Sequence, residues 1–163
     1  MVDRLTPERR SWLMSRVKGK NTTPELRVRR AAHALGLRFR LHRSDLPGTP
    51  DLVFPKWHIA VFVHGCFWHR HKGCTKASTP KSRSDYWTKK FQQNTQRDRR
   101  NSRHLRRAGW SVLTIWECET KQASKLTDKL IKLFDLEQRR PAKKRLPSSR
   151  ATRSHEALRV RPR

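Results

Sequence analysis

The chain has 163 residues and carries 40 Lys and Arg against 13 Asp and Glu, a formal charge of +27. That length suits one core and not two, and its 34% apolar content, below the roughly 45–50% of average domains, points to an unfolded portion. No apolar run approaches the roughly 18 residues of a membrane span, and Met1-Val2-Asp3-Arg4 lacks the apolar stretch of a signal peptide, so a cytoplasmic protein is expected. Its large positive charge favours a polyanionic partner, most often nucleic acid, because each neutralised phosphate releases condensed counterions.

Residues 4–17 read as a short basic helix, followed by the flexible Lys18-Gly19-Lys20-Asn21, so the segment 1–22 is expected to be a basic arm that contacts DNA. Thr23-Pro24-Glu25 starts the next helix with a capping hydroxyl, a proline at the first helical position and an acid near the positive end of the dipole. Val28, Ala31, Ala32 and Leu35 continue it at helical spacing, and Gly36 ends it. Leu37, Phe39 and Leu41 alternate with basic residues as in a half-buried strand. Pro47-Gly48-Thr49-Pro50 then turns the chain into the short buried strand Asp51-Leu52-Val53-Phe54.

Beyond Pro55-Lys56 the run over 57–63 is nearly all apolar and predicts a central strand. A loop rich in Cys and His, 64–80, leads into a long helix over about 85–108, closed by Gly109 and carrying a thin stripe of Trp87, Phe91 and Leu105. Residues 110–116 form another strand, and strand–helix–strand implies a parallel pair with a right-handed crossover. Leu126, Leu130, Ile131 and Phe134 mark a final amphipathic helix. The expected fold is an α/β domain over 23–137, a mixed sheet flanked by helices. The stretch 138–163, with 10 Lys and Arg against one acid, reads as a disordered basic tail that is either a non-specific DNA arm or solvated charge.

Two groups of residues carry chemistry. Cys66-x4-His71-x2-Cys74, with Cys118 just past the last strand, suits a closed tetrahedral zinc site; the bland alternative is three buried thiols and a surface histidine. A closed site leaves no open position for water, so it would be a staple rather than a reaction centre. Histidines also crowd the region, at His58, His64, His69 and His71, with His42 more distant. Asp51 and His64 stand at neighbouring strand ends, and a buried carboxylate in so basic a chain suits a cation such as the Mg²⁺ of phosphodiester cleavage. By spacing alone a Pro-Asp pair is more often a turn, and Glu25 reads first as a helix N-terminal acid that complements the dipole.

Taken together, Asp51 after Pro47-Gly48-Thr49-Pro50, the block His64-Gly65-Cys66-Phe67-Trp68-His69-x-His71, then Arg97-Asp98-Arg99-Arg100, Gly109-Trp110 and Trp116-Glu117-Cys118 resemble the very short patch repair (Vsr) DNA mismatch endonucleases. The resemblance runs from about residue 14 to 136. It implies a restriction-endonuclease-like fold that uses Mg²⁺ to nick DNA 5′ of the thymine of a T:G mismatch, where a 5-methylcytosine has deaminated. It further implies that Asp51 and the main-chain carbonyl of Val63 bind Mg²⁺, that His64 and His69 are active-site histidines, that Asp98 orients His69, and that Glu25 belongs to the active site. Cys66, His71, Cys74 and Cys118 match structural zinc ligands.

The resemblance also assigns DNA contacts. Phe67 and Trp68, two large apolar side chains in a polar loop, suit a wedge between base pairs, where a mismatch already weakens stacking. Met14 resembles a residue entering from the minor-groove side, Trp87 a further aromatic near the wedge or a core residue, and Lys90 and Asn94 base-reading positions, with a phosphate contact the alternative for Lys90. Double-stranded DNA with a T:G mismatch is the implied partner, mismatch-repair proteins are expected as further partners, and a monomer associated with the nucleoid is the expected state. Departures are a two-residue gap between His71 and Cys74 where one is commoner, and Val63 where threonine is common. Phe62-Val63-His64 replaces the second acid and lysine of restriction-like nucleases, against a generic restriction enzyme cutting intact sites. The presence of Asp51, His64 and His69 argues against a non-catalytic zinc-stabilised DNA-binding protein.

Overall fold

Side chains along three short strands alternate between two layers, and this alternation positions the rest of the molecule. The computed structural model describes residues 6–16 and 19–138. In chain order it forms α1 (Pro7–Ser15), α2 (Thr23–Ala34), β1 (Arg40–Leu41), β2 (Leu52–Phe54), β3 (Ile59–His64), α3 (Ser84–Arg107), β4 (Ser111–Trp116) and α4 (Ala123–Gln138). The strands lie in sequence order in one sheet. β1, β2 and β3 pair antiparallel, whereas β3 and β4 pair parallel. A parallel pair needs a long crossover, and α3 supplies it.

Leu52, Phe54, Ile59, Val61 and Ile115 share one face of the sheet and pack on Val28 and Ala32 of α2 and Leu126, Leu130 and Phe134 of α4. The period-2 alternation of a strand sends Ala60 and Phe62 to the other face, where they meet Leu105 of α3. Continuing that parity puts His64 on the α3 side. The sheet is therefore mixed and flanked by helices, as expected, and the structure puts α2 and α4 on one face and α3 on the other.

Several boundaries differ from expectation, each for a local reason. The cap of α2 is Thr22, one residue earlier than predicted, with a capping box in which Thr22 and Glu25 satisfy each other's backbone N–H. The central strand begins at Ile59 rather than residue 57, because Pro55–Trp57 forms a tight 3-10 turn and His58 adopts a left-handed φ of 54°. Trp57 spends its apolar surface on Phe54 and Phe134 instead. The strand expected to be half-buried shrinks to Arg40–Leu41, both exposed, and is ended by His42 at φ 43°. Ile131 is exposed, not on the buried stripe of α4. A further 3-10 turn, Glu119–Lys121, follows β4.

None of the described side chains of α1 is buried, and Trp12 lies between the guanidiniums of Arg9 and Arg16. The basic tail over 138–163 lies outside the described residues except for Gln138, as do residues 1–5 and 17–18 of the arm. Among the described residues, no helix is long and apolar enough to cross a membrane.

Candidate active site

A cleft of about 910 Å³ opens where the C-terminal end of β3 meets α3 and the start of α2. Glu25, Asp51, Val63, His64, Trp68, His69, Asn94 and Asp98 all line it. Residues separated by up to 73 positions are thus gathered at the C-terminal end of β3, from helices on both faces of the sheet.

Asp51 enters from the turn before β2. Its Oδ2 accepts a hydrogen bond from the Val63 N–H at 2.7 Å, while Oδ1 faces His42 Nδ1 at 4.0 Å. Burial, with the nearby Glu25 carboxylate adding to it, pushes Asp51 up to about 6 despite the Val63 hydrogen bond. The turn itself is tight. Gly48 has φ +78°, and a Cβ there would stand 2.6 Å from Asn101 Nδ2 on α3, so only glycine lets this loop close on the helix.

The two histidines stack on each other, rings 3.9 Å apart and 10° from parallel. His69 Nδ1 lies 2.5 Å from Asp98 Oδ2. An ionised carboxylate only accepts, so Nδ1 carries the proton and Nε2 is left as the acceptor. Although burial works in the opposite direction, the His69 hydrogen bond and the adjacent imidazoles hold the Asp98 carboxyl below its ordinary value. Burial, reinforced by His69, lowers His64 to about 4, so its ring is neutral at physiological pH.

Glu25 is the acid at the head of α2 and also lines the cleft. It is 3% exposed, caps α2, and accepts from the Asn21 N–H at 2.9 Å and from Arg29 Nη2 at 3.0 Å. His42 Nε2 stands 3.9 Å away. His42 and Arg29, whose Nη2 lies 3.0 Å from His42 Nε2, were not among the predicted site residues. The available signal was the need of two buried carboxylates for cationic or donor neighbours; the left-handed backbone that turns His42 inward has no sequence signature.

Oxygen donors fit a hard cation here. Asp51 and the Val63 carbonyl would hold Mg²⁺, and because both oxygens of Glu25 are already hydrogen-bonded, the remaining coordination would come from water and phosphate. The sulfur cluster is separate. One donor atom each from Cys66, His71, Cys74 and Cys118 lie within 4.8 Å of one another, with His71 Nδ1 3.6 Å from Cys66 Sγ and 3.3 Å from Cys118 Sγ. Such spacings match the edges of a tetrahedron with metal–ligand bonds of about 2.0–2.3 Å, the geometry of zinc. Burial pushes the Cys66 thiol up to about 12, with hydrogen bonds from Cys118 and Cys74 adding to it, which a bound cation would reverse. Cys66 and Cys118 sit just beyond the ends of β3 and β4, and the parallel pairing of His64 with Trp116 brings them together.

The predicted DNA contacts divide. Phe67 and Trp68 pack against each other and, with Trp87 and Phe91, form an aromatic group at the head of α3. Trp87 is 7% exposed, so in the free protein it supports that group from below. Asn94 is 5% exposed and its Nδ2 donates to the Trp68 carbonyl at 3.0 Å; it holds the aromatic loop. Lys90 is exposed one turn earlier on α3, outside the cleft, and Met14 is 40% exposed on α1.

The fold is shared with the catalytic domain of the homing endonuclease I-Bth0305I, which superposes with a TM-score of 0.52 at 20% identity over 72% of this chain and 98% of that one. The expected restriction-endonuclease-like architecture is therefore present. Residues 2–76 match the family model described as DNA mismatch endonuclease Vsr. The type II nicking enzyme V.XorIIP of Xanthomonas oryzae is 51% identical, with 83% of this chain and 98% of that protein covered. The DNA mismatch endonuclease Vsr of Escherichia coli is 38% identical, with 75% and 78% covered, and the type II nicking enzyme V.NmeAIP of Neisseria meningitidis is 38% identical, with 82% and 94% covered. With this identity over most of each relative's length, the chain belongs to the Vsr family of DNA mismatch endonucleases.

Proposed function

We propose that this chain is a Mg²⁺-dependent endonuclease that nicks one strand of duplex DNA 5′ of the thymine in a T:G mismatch. The observation that carries this reading is the buried Asp51 carboxylate opening onto the same cleft as the His64–His69–Asp98 group. Mg²⁺ bound by Asp51 and the Val63 carbonyl would offset phosphate charge and acidify water. With its Nδ1–H committed to Asp98, His69 has Nε2 free to take a proton from the attacking water. The neutral ring of His64, stacked on His69, keeps the pair's orientation without adding a second positive charge that would oppose that proton transfer.

Mismatch recognition draws support from the aromatic group beside the cleft. Phe67 and Trp68 stand on a loop bound to α3 by Asn94, and inserting such side chains between base pairs costs least where pairing is already defective. The arm, residues 1–22, would approach the minor groove with Met14, and Lys90 would contact a base or a phosphate. In this reading residues 23–137 form the endonuclease domain, zinc on the cysteine cluster braces the loop that bears the aromatic pair, and the chain acts as a monomer.

The test is a strand-resolved nicking assay with Mg²⁺ on a T:G duplex and its matched partner, comparing wild type with Asp51→Ala. Nicking of the mismatched duplex by wild type alone is expected. Cutting of the matched duplex would favour a nuclease acting on intact sites, as the relatives named type II nicking enzymes lead one to examine. Binding without cutting would overturn the enzymatic reading.

A further inference from the structure

One side chain joins the two clusters. Trp116 ends β4 directly opposite His64 in the parallel register, and strand parity puts both on the face covered by α3. Its indole lies flat on the His71 ring, centroids 4.3 Å apart and planes 7° from parallel. It also meets the His64 ring, at 5.5 Å and 72°. His64 then stacks on His69, which is bonded to Asp98. Four rings therefore run as a column from the cysteine cluster to the reacting histidines.

The column is anchored along its length. The Trp116 N–H donates to Glu119 Oε2 at 2.7 Å, and Lys129 Nζ holds Glu119 through both oxygens at 2.7 and 2.8 Å. The Glu117 N–H donates to the His64 carbonyl at 2.9 Å. An indole exchanges no proton near neutral pH, so its contribution is a fixed surface. An imidazole turns about a soft torsion, and a rotation of a few tens of degrees misdirects a ring nitrogen by enough to cost catalysis. His64 is confined by the stacked ring of His69, by Trp116 and by Phe62.

We propose that Trp116 is a positioning residue for the nicking reaction: packed between His71 and His64, it sets the orientation of the His64–His69 pair, so that ligation of His71 is felt at the reaction centre. The inference rests on the nuclease reading given above, but its ring geometry can be tested apart from activity.

The full chain is compared with Trp116→Leu, Trp116→Phe and His71→Cys by bound zinc, by the ring-proton resonances of His64 and His69, and by steady-state nicking of a T:G duplex. His71→Cys supplies a fourth thiolate, a ligand set zinc accepts, while removing the ring that Trp116 lies on. The expected result for Trp116→Leu is one zinc per chain, a KM within about twofold of wild type, kcat lower by roughly 10–100-fold, and displaced His64 and His69 resonances. Trp116→Phe recovers most of kcat because a ring surface returns. His71→Cys keeps zinc yet shifts the His64 resonances and lowers kcat in the same direction. Wild-type kcat or unmoved His64 resonances in a zinc-loaded Trp116→Leu protein would overturn the proposal; if that variant does not fold, the same two readings in His71→Cys decide it. A wild type that nicks no mismatched duplex would defeat the nuclease reading, while the resonances would still decide whether Trp116 holds His64.

Discussion

His69 Nδ1 lies 2.5 Å from Asp98 Oδ2, a contact between a loop and the middle of α3 that spans 29 residues of chain. It fixes which ring nitrogen bears the proton. Asp98→Asn keeps the shape but removes the charge and the tautomer control, so kcat is expected to fall by about 10²–10⁴-fold with DNA affinity unchanged. Single-turnover nicking alongside equilibrium binding of the same duplex separates the two quantities. An Asp98→Asn protein within threefold of wild-type kcat would remove Asp98 from the mechanism.

Burying the Asp51 carboxylate costs stability once it ionises. Its folded-state value of about 6 lies above the 3.8 of an unperturbed aspartate. The native state therefore holds its proton more tightly than the unfolded chain. Stability from this group is whole below about pH 4 and declines as pH rises toward 6. Asp51→Asn stays neutral and still accepts from the Val63 N–H. Without added Mg²⁺ it is expected to be more stable than wild type at pH 8, by an amount on the order of 3 kcal/mol, and equal to it near pH 3. Urea unfolding at the two pH values checks this, and nicking should be abolished.

Two separate metal sites would give two independent losses. Asp51→Ala should retain one zinc per chain, whereas Cys118→Ala should retain none and lose several kcal/mol of stability, because a structural zinc contributes directly to folding. Metal analysis of the purified proteins and their unfolding midpoints are the measurements. Zinc retained by Cys118→Ala refutes the four-ligand assignment.

Gly48→Ala meets two obstacles at once. The backbone is left-handed at φ +78°, and the new Cβ would approach Asn101 Nδ2 to 2.6 Å and Asn101 Cβ to 2.9 Å. A cost of about 1–3 kcal/mol is expected. Because Asp51 follows three residues later, nicking should fall by more than the folded fraction does. Parallel urea titrations and rates per folded molecule show whether it does.

Trp68→Ala addresses recognition. Base–aromatic stacking contributes about 1–3 kcal/mol, so affinity for the T:G duplex should drop roughly tenfold or more while affinity for the matched duplex holds. Since no charge is removed, the slope of log affinity against log salt should stay the same. A changed slope would mean that the substitution disturbed the basic surface instead.

Much of this molecule was legible in its sequence. The continuous apolar runs over 52–54 and 59–63, the helical spacing of Val28 and Ala32, and the Cys66-x4-His71-x2-Cys74 spacing are local patterns, and hydrophobic burial and ligand geometry act on them wherever they occur. They predicted the mixed sheet and grouped the four zinc-type ligands. Asp51, His64, His69 and Asp98 were identifiable through the motif blocks, Glu25 only through what the resemblance implies, and all five line one cleft.

Only the tertiary structure decided what depends on a particular backbone angle or on two elements meeting. His42 turns into the carboxylate cluster through a left-handed φ that histidine rarely adopts, and Arg29 meets it there from α2. Trp57 reads as strand because burial in a turn and burial in a strand present the same apolar residue. Trp116 reads as one more apolar strand residue; its place between His71 and His64 follows from the register of β3 on β4, which is set by the whole sheet and written in no single segment.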